Sequence, residues 1–153
     1  DETPEQTRLR TAACLLGDVF WSEHPDYRAE QAFLRVLRLP FMGLDHRDRA
    51  GLALAVFTRY NGNPDGEVAR PALHLLSENR TRRVKTIGLA LRLAHSLSGG
   101  APGLLAHTRL VMDDARLILE VPGGHPVYAA GGYPKRFEKL AKAVDREPVI
   151  VRE

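Results

Sequence analysis

The chain has 153 residues, of which 44% are hydrophobic and 27% are charged. This balance predicts a soluble globular protein with a sizeable core and excludes a disordered or fibrous chain. The 22 basic and 19 acidic residues leave a net charge of only +3, so bulk charge alone does not indicate a polyanion partner. The single cysteine, Cys14, excludes an intrachain disulfide and a cysteine zinc cluster.

The first residues and the apolar runs indicate where in the cell the protein is located. No apolar run approaches the roughly 20 residues that span a bilayer, and the polar start at residues 1–5 is not a signal peptide. We therefore expect a cytoplasmic protein. Residue 1 is not methionine and helix signals begin at once, so we expect a piece of a longer polypeptide.

The first two thirds of the chain show helical spacing. A capping box at Thr3-Pro4-Glu5-Gln6 starts a helix whose apolar stripe continues to His24-Pro25. Further helices are predicted over about 27–38, 45–60, 72–76 and 80–98. The last of these is apolar on several faces, which indicates a central position.

The last third changes to a strand pattern. Two apolar runs at 110–112 and 117–121 flank Asp113-Asp114-Ala115, which predicts a β-hairpin. Pro134 opens a final helix, and the run at 148–151 supplies a third strand. The expected fold class is therefore α+β. It comprises a helical region over 1–103 and a small α+β subdomain over 104–153, which together form one domain.

Several segments, taken in order, resemble a known family. They are LRTAACLLGD at 9–18, HPDYR at 24–28, IGLALRLAHSL at 87–97, PGLL at 102–105 and YPKRFEKL at 133–140. The chain resembles the C-terminal region of bacterial exopolyphosphatases, in the exopolyphosphatase and guanosine pentaphosphate phosphatase family. The resemblance implies a helical bundle similar to the HD phosphohydrolases, followed by a small sheet. It also implies a homodimer, and actin-like N-terminal lobes that carry hydrolysis, with Mg²⁺ in the parent enzyme.

The resemblance also identifies a degenerate metal pocket. HD enzymes hold divalent ions with a histidine, a His-Asp pair and a distant aspartate. The corresponding pocket residues are Asp18, with Gly17 before it, His24, Gln31 and His95. So few ligands predict no metal, no cofactor and no catalytic residue in this chain. We expect Asp18 to accept backbone hydrogen bonds near 24–28 or to pair with Arg28 or His95, His24 to be a turn residue, and His95 to be a core residue.

Basic residues are the candidate phosphate contacts. Arginine engages two phosphate oxygens at once, and the start of a helix attracts anions. The primary candidates open the long helix and are Arg80, Arg82, Arg83 and Lys85. Arg28 and Arg59 are secondary candidates, because the resembled fold places them near Asp18. A second basic run, Lys135, Arg136, Lys139 and Lys142, is interpreted as a solvated face.

These observations favour a noncatalytic domain that binds inorganic polyphosphate, or guanosine tetra- or pentaphosphate, and supports dimerisation. The parent enzyme would release terminal phosphate from polyphosphate. One alternative is a metal-dependent HD-type phosphohydrolase that uses Asp18, His24 and His95. A second alternative is a general nucleic-acid binder, which the scarcity of aromatic residues outside the apolar stripes disfavours.

Overall fold

The computed structural model describes residues 2–101, 103–124, 128 and 132–152. These residues form six α-helices and a three-stranded sheet, which confirms the α+β class. They belong to two compact units, residues 1–91 and 92–153. The boundary lies inside the longest helix, whereas the sequence analysis places it after residue 103.

The first unit is helical. It holds α1 (Pro4–Leu16), α2 (Pro25–Arg38), α3 (His46–Arg59), α4 (Arg70–Leu73) and the first part of α5 (Glu78–Ser98). The predicted capping box is present, since the Thr3 side chain accepts from the backbone of Gln6 and the Gln6 side chain accepts from the backbone of Thr3. Asp45 caps α3, and its carboxylate accepts from the backbone nitrogen of Asp48 at 2.7 Å.

Helix α3 is the most deeply buried helix, although the sequence analysis favours α5. Every residue of α3 from Ala50 to Arg59 is buried, whereas much of α5 is only partly buried. The core of the unit surrounds α3 and includes Leu9, Ala13, Phe33, Val36 and Val84.

The predicted extent of the first helix is wrong. Helix α1 ends at Leu16, and a series of tight turns, held by hydrogen bonds of the i to i+3 type, leads to His24. These turns bury Phe20 but leave Val19 57% exposed, so the apolar stripe does not continue. The ring of Phe20 packs edge-on against Tyr60, and its backbone NH donates to the Tyr60 hydroxyl at 3.2 Å. These contacts favour the turns over another helical turn.

The second unit contains the sheet. Strands β1 (Arg109–Met112) and β2 (Arg116–Val121) pair antiparallel, and β3 (Glu147–Arg152) pairs parallel to β2, giving the order β1-β2-β3. Helix α6 (Tyr133–Ala143) connects β2 to β3 and packs against both strands. The hairpin, the final helix and the third strand are therefore confirmed.

No helix of the described residues is long and apolar enough to cross a membrane.

Candidate functional site

Asp18 lies in the turns after α1 and pairs with an arginine from α3. The guanidinium of Arg59 donates to the Asp18 carboxylate at 2.8 Å. The Arg59 side chain is only 8% exposed, whereas that of Asp18 is 65% exposed. A buried guanidinium needs a counter-ion more than an exposed carboxylate does. The presence of an acidic residue at position 18 is therefore explained by the charge of Arg59. The sequence analysis does not name Arg59 as the partner of Asp18.

Two arginines surround one tyrosine ring beside this ion pair. The Arg59 guanidinium lies 4.9 Å from the centre of the Tyr60 ring, and that of Arg28 lies 5.8 Å from it. Arg28 also donates to the backbone carbonyl of Glu23 at 2.9 Å. Burial raises the pKa of the Tyr60 hydroxyl. Arg28 and Arg59 thus lie near the Tyr60 ring beside Asp18, and both guanidinium groups already have partners within the protein.

The other residues of the predicted pocket lie on or directly before later helices. His24 is the residue before α2, where its Nδ1 accepts from the backbone nitrogen of Asp26 at 3.3 Å. Gln31 is exposed on α2. His95 lies on the part of α5 that belongs to the second unit.

The residues present do not fit a divalent ion. The Asp18 carboxylate is engaged by Arg59, and the Nδ1 atom of His24 by a backbone NH. Within the described residues, no group of three His, Cys, Asp or Glu side chains is close enough to hold a metal. A catalytic HD site needs at least three protein ligands and an open position for water. No step of metal chemistry can be assigned to these side chains.

The candidate cations of α5 are all paired with carboxylates. Arg80 pairs with the buried Asp48 and, at 3.8 Å, with Glu5. Arg83 pairs with Glu2. Lys85 lies 2.6 Å from Asp65, and Arg82 lies 3.9 Å from Glu78.

These four cations also face two sides of α5, with Arg80 and Arg83 on one side and Arg82 and Lys85 on the other. Each residue advances about 100° around a helix, so Arg80 and Arg82 are separated by about 200°. Only Arg82 is well exposed, at 64% of its side chain, whereas Arg80, Arg83 and Lys85 are 23–31% exposed. A run of basic residues in the sequence is therefore not one basic surface.

Arg80 and Arg83 line a cavity of about 340 Å³ at the start of α1 and α5. Thr3, Glu5 and Gln6 contribute to the same walls. The arginines bring two positive charges, which the paired Glu2, Glu5 and Asp48 offset. An anion entering this cavity would have to displace carboxylates that are already in place.

A second cavity of the first unit, of about 360 Å³, is acidic. Its walls include Asp26, Glu30 and Glu67, together with Asn61 and Asn63. These carboxylates repel phosphate, so this opening is unsuitable for a polyanion.

Helix α6 carries the second basic run, which the sequence predicts to be a solvated face. Lys135, Lys139 and Lys142 are exposed, and the described residues offer none of them a carboxylate partner. Their spacing of four and then three residues predicts that all three lie on one face of a helix.

No curated protein matches this sequence. The model of one family, described as exopolyphosphatase, C-terminal, matches residues 1–151. Because the match covers nearly the whole chain, this protein belongs to the exopolyphosphatase C-terminal domain family.

Proposed function

We propose that this chain is the noncatalytic, polyphosphate-binding domain of an exopolyphosphatase. In this proposal, actin-like lobes of the same polypeptide release terminal phosphates while this domain holds the polymer. Because the chain belongs to this family, we infer that the parent enzyme acts on polyphosphate.

The ion pair between Asp18 and Arg59 supports the noncatalytic half of the proposal. In an HD hydrolase the carboxylate at this place holds a metal that activates water. Here the Arg59 guanidinium neutralises the Asp18 carboxylate, and the burial of Arg59 makes this ion pair favourable. This observation favours a binding domain over the HD-type phosphohydrolase.

The binding half depends on exposed cations. Polyphosphate carries about one negative charge per phosphate unit, so it binds best to cations distributed along a surface. The sequence analysis assigns this role to Arg28, Arg59, Arg80, Arg82, Arg83 and Lys85. Of the α5 cations, Arg82 is the most accessible and has the weakest ion pair, at 3.9 Å. Among the α5 cations, Arg82 is therefore the one that a polymer can contact with the least loss of existing ion pairs.

The test is a titration of the 153-residue chain with long-chain polyphosphate. Affinity should fall at least roughly tenfold between 50 and 200 mM salt, because neutralising several phosphates releases counter-ions. Orthophosphate, guanosine tetraphosphate and single-stranded DNA serve as competitors, and polyphosphate should outcompete all three. Absent or salt-insensitive binding would show that the proposal is wrong.

A matched pair of variants isolates Arg82. Arg82 and Arg70 are both 64% exposed, and each pairs with a glutamate on its own helical segment, at 3.9 and 3.6 Å. Arg82→Glu should weaken polyphosphate binding severalfold, whereas Arg70→Glu should change it little. Equal effects of the two substitutions would remove Arg82 from the binding set.

A phosphate-release assay separates the proposal from the HD alternative. The chain alone, incubated with polyphosphate and Mg²⁺ or Mn²⁺, should release no phosphate above background. Turnover that disappears in Asp18→Ala would establish a hydrolase and overturn the noncatalytic assignment.

We also propose that the chain self-associates through its first unit. Leu15, Val19 and Trp21 are 75%, 57% and 71% exposed and lie within seven residues at the end of α1. Large apolar side chains that are grouped on a protein surface often mark an interaction site. Analytical ultracentrifugation should show a dimer that Trp21→Glu weakens. A monomer at all concentrations would contradict this part of the proposal.

A further inference from the structure

Helix α6 presents a row of three lysines to solvent. Lys135, Lys139 and Lys142 are exposed, whereas Tyr133, Phe137 and Leu140 on the opposite side are buried. At about 100° per residue the three lysines lie within about 60° of the helix circumference. They cover about 10 Å along the helix axis at 1.5 Å per residue. We call Lys135, Lys139 and Lys142 the α6 lysine row.

The charges of the α6 lysine row are not compensated within the described residues. None of the three side chains forms an ion pair or a hydrogen bond there. Glu138 stands four residues before Lys142, yet no ion pair between them is formed. Like charges at this helical spacing repel one another by a few tenths of a kcal/mol. An external polyanion would remove this repulsion, whereas at α5 it would have to displace existing carboxylates.

The surroundings of the row fit phosphate better than nucleobases. Proteins that bind single-stranded nucleic acid stack the bases on exposed aromatic rings. The two aromatic residues of α6, Tyr133 and Phe137, are 1% and 0% exposed, so neither offers a stacking surface. Lysine ammonium groups bind phosphate as point charges and do not require a particular base or sugar.

We propose that the α6 lysine row is a polyphosphate-binding track of this domain. The inference depends on the proposed function and adds a location to it. Consecutive phosphates share one bridging oxygen, so they are closer together than successive lysines of the row. One extended chain can therefore offer each lysine a separate phosphate while running along the helix.

The test is a triple substitution, Lys135→Gln with Lys139→Gln and Lys142→Gln, in the 153-residue chain. Glutamine has nearly the helix propensity of lysine, and the positions are exposed, so the fold should persist. At 50 mM salt the variant should bind long-chain polyphosphate roughly tenfold or more weakly, because three contacts with released counter-ions are lost. The triple Lys→Arg variant keeps the charges and should bind like the original chain.

A matched control removes the same charge from paired cations. Arg35, Arg70 and Arg116 are 52–64% exposed, and each lies within 3.6 Å of a carboxylate. Changing these three to glutamine should alter polyphosphate affinity less than threefold. An equal loss in the control and in the lysine variant would show that only net charge matters and would overturn the inference.

The remaining outcomes separate the two proposals. If the original chain binds polyphosphate and the triple Lys→Gln variant binds it equally well, the inference is wrong and the proposed function stands. If the original chain binds no polyphosphate, both are wrong. If the row binds single-stranded DNA more tightly than polyphosphate of equal charge, the track belongs to a nucleic-acid site and the inference is wrong.

Discussion

The role of Asp18 follows from the residue with which it pairs. The sequence indicates that a carboxylate in this apolar region needs a partner, but that partner, Arg59, is 41 residues away. Local patterns do not reveal such a contact, because it depends on how α3 packs beside the turns after α1. The cost of burying the Arg59 guanidinium without a counter-ion explains why an acid occupies this place even though no histidine precedes it.

Removing the Asp18 carboxylate should destabilise the fold. Asp18→Ala should lower the free energy of unfolding by about 2 kcal/mol, because Arg59 is 8% exposed and loses its counter-ion. Asp18→Asn should cost less, because the amide oxygen can still accept from Arg59. The measurement is urea unfolding. Glu30→Ala, at an exposed α2 position, is the control and should change stability by at most about 0.5 kcal/mol. Equal stability of Asp18→Ala and Glu30→Ala would contradict the structural role.

Asp113 holds the β-hairpin turn and should respond to acid. Its carboxylate accepts from the backbone nitrogens of Ala115 and Arg116 at 2.9 and 2.6 Å, and these hydrogen bonds lower its pKa. A lowered pKa in the folded state means that the stabilisation is complete above the unfolded value of about 3.9 and is lost as pH falls below it. An NMR titration of the Asp113 carboxyl should have its midpoint below about 3.9. A midpoint at or above that value would show that the turn hydrogen bonds do not stabilise the ionised form.

At the scale of elements, helix spacing explains which basic segment forms a surface. The α5 cations at positions 80, 82, 83 and 85 face two sides of the helix, and each one is already paired with a carboxylate. The α6 lysines at 135, 139 and 142 repeat at the helical period and share one face. The sequence favours α5 because its basic residues open a helix, where free NH groups and the helix dipole attract anions.

Element boundaries were predictable where the signals are local. The capping box of α1, the Asp45 cap of α3 and the turn residues of the hairpin identify their elements correctly. At the end of α1 the signals conflict, because Gly17 directly follows the last helical residue while the apolar period of residues 9–20 continues in the sequence. The hydrogen bond from the backbone NH of Phe20 to the distant Tyr60 hydroxyl, which local patterns do not show, accompanies the turns after the helix.

Helices α3 and α5 approach closely at a glycine. A Cβ atom added at Gly88 would lie 2.5 Å from the Ala55 carbonyl oxygen and 2.6 Å from the Thr58 Cβ. Gly88→Ala should therefore destabilise the fold by about 1–3 kcal/mol, since overpacking exceeds the gain of up to about 1 kcal/mol in helix propensity.

A second helical glycine is the control for Gly88. A Cβ atom at Gly51 would meet its nearest atom, Val84 Cγ1, at an ordinary 3.4 Å. Gly51→Ala should therefore leave stability unchanged or raise it by up to about 1 kcal/mol. Thermal unfolding of the two variants tests the contrast. A more stable Gly88→Ala variant would contradict the close approach of α3 and α5.

At the scale of the whole molecule, the sequence predicts fold class and family but not the arrangement of charge. The order of helices followed by a small sheet is confirmed, and the family match spans residues 1–151. The ion pairs that neutralise α5 join residues as far apart as Glu2 and Arg83, so they depend on the folded core. The shared face of Lys135, Lys139 and Lys142 on α6, by contrast, is predicted by the helical period alone.

We propose that polyphosphate binds to α6 of the second unit and not to the residues around Asp18 in the first unit. The most direct measurement is a two-dimensional amide NMR titration of the 153-residue chain with long-chain polyphosphate. At low polymer concentration the first signals to change should belong to residues of α6 around Lys135, Lys139 and Lys142, and raising the salt from 50 to 200 mM should reverse the change. Changes confined to residues around Asp18 and Arg59, or no changes at all, would contradict the account.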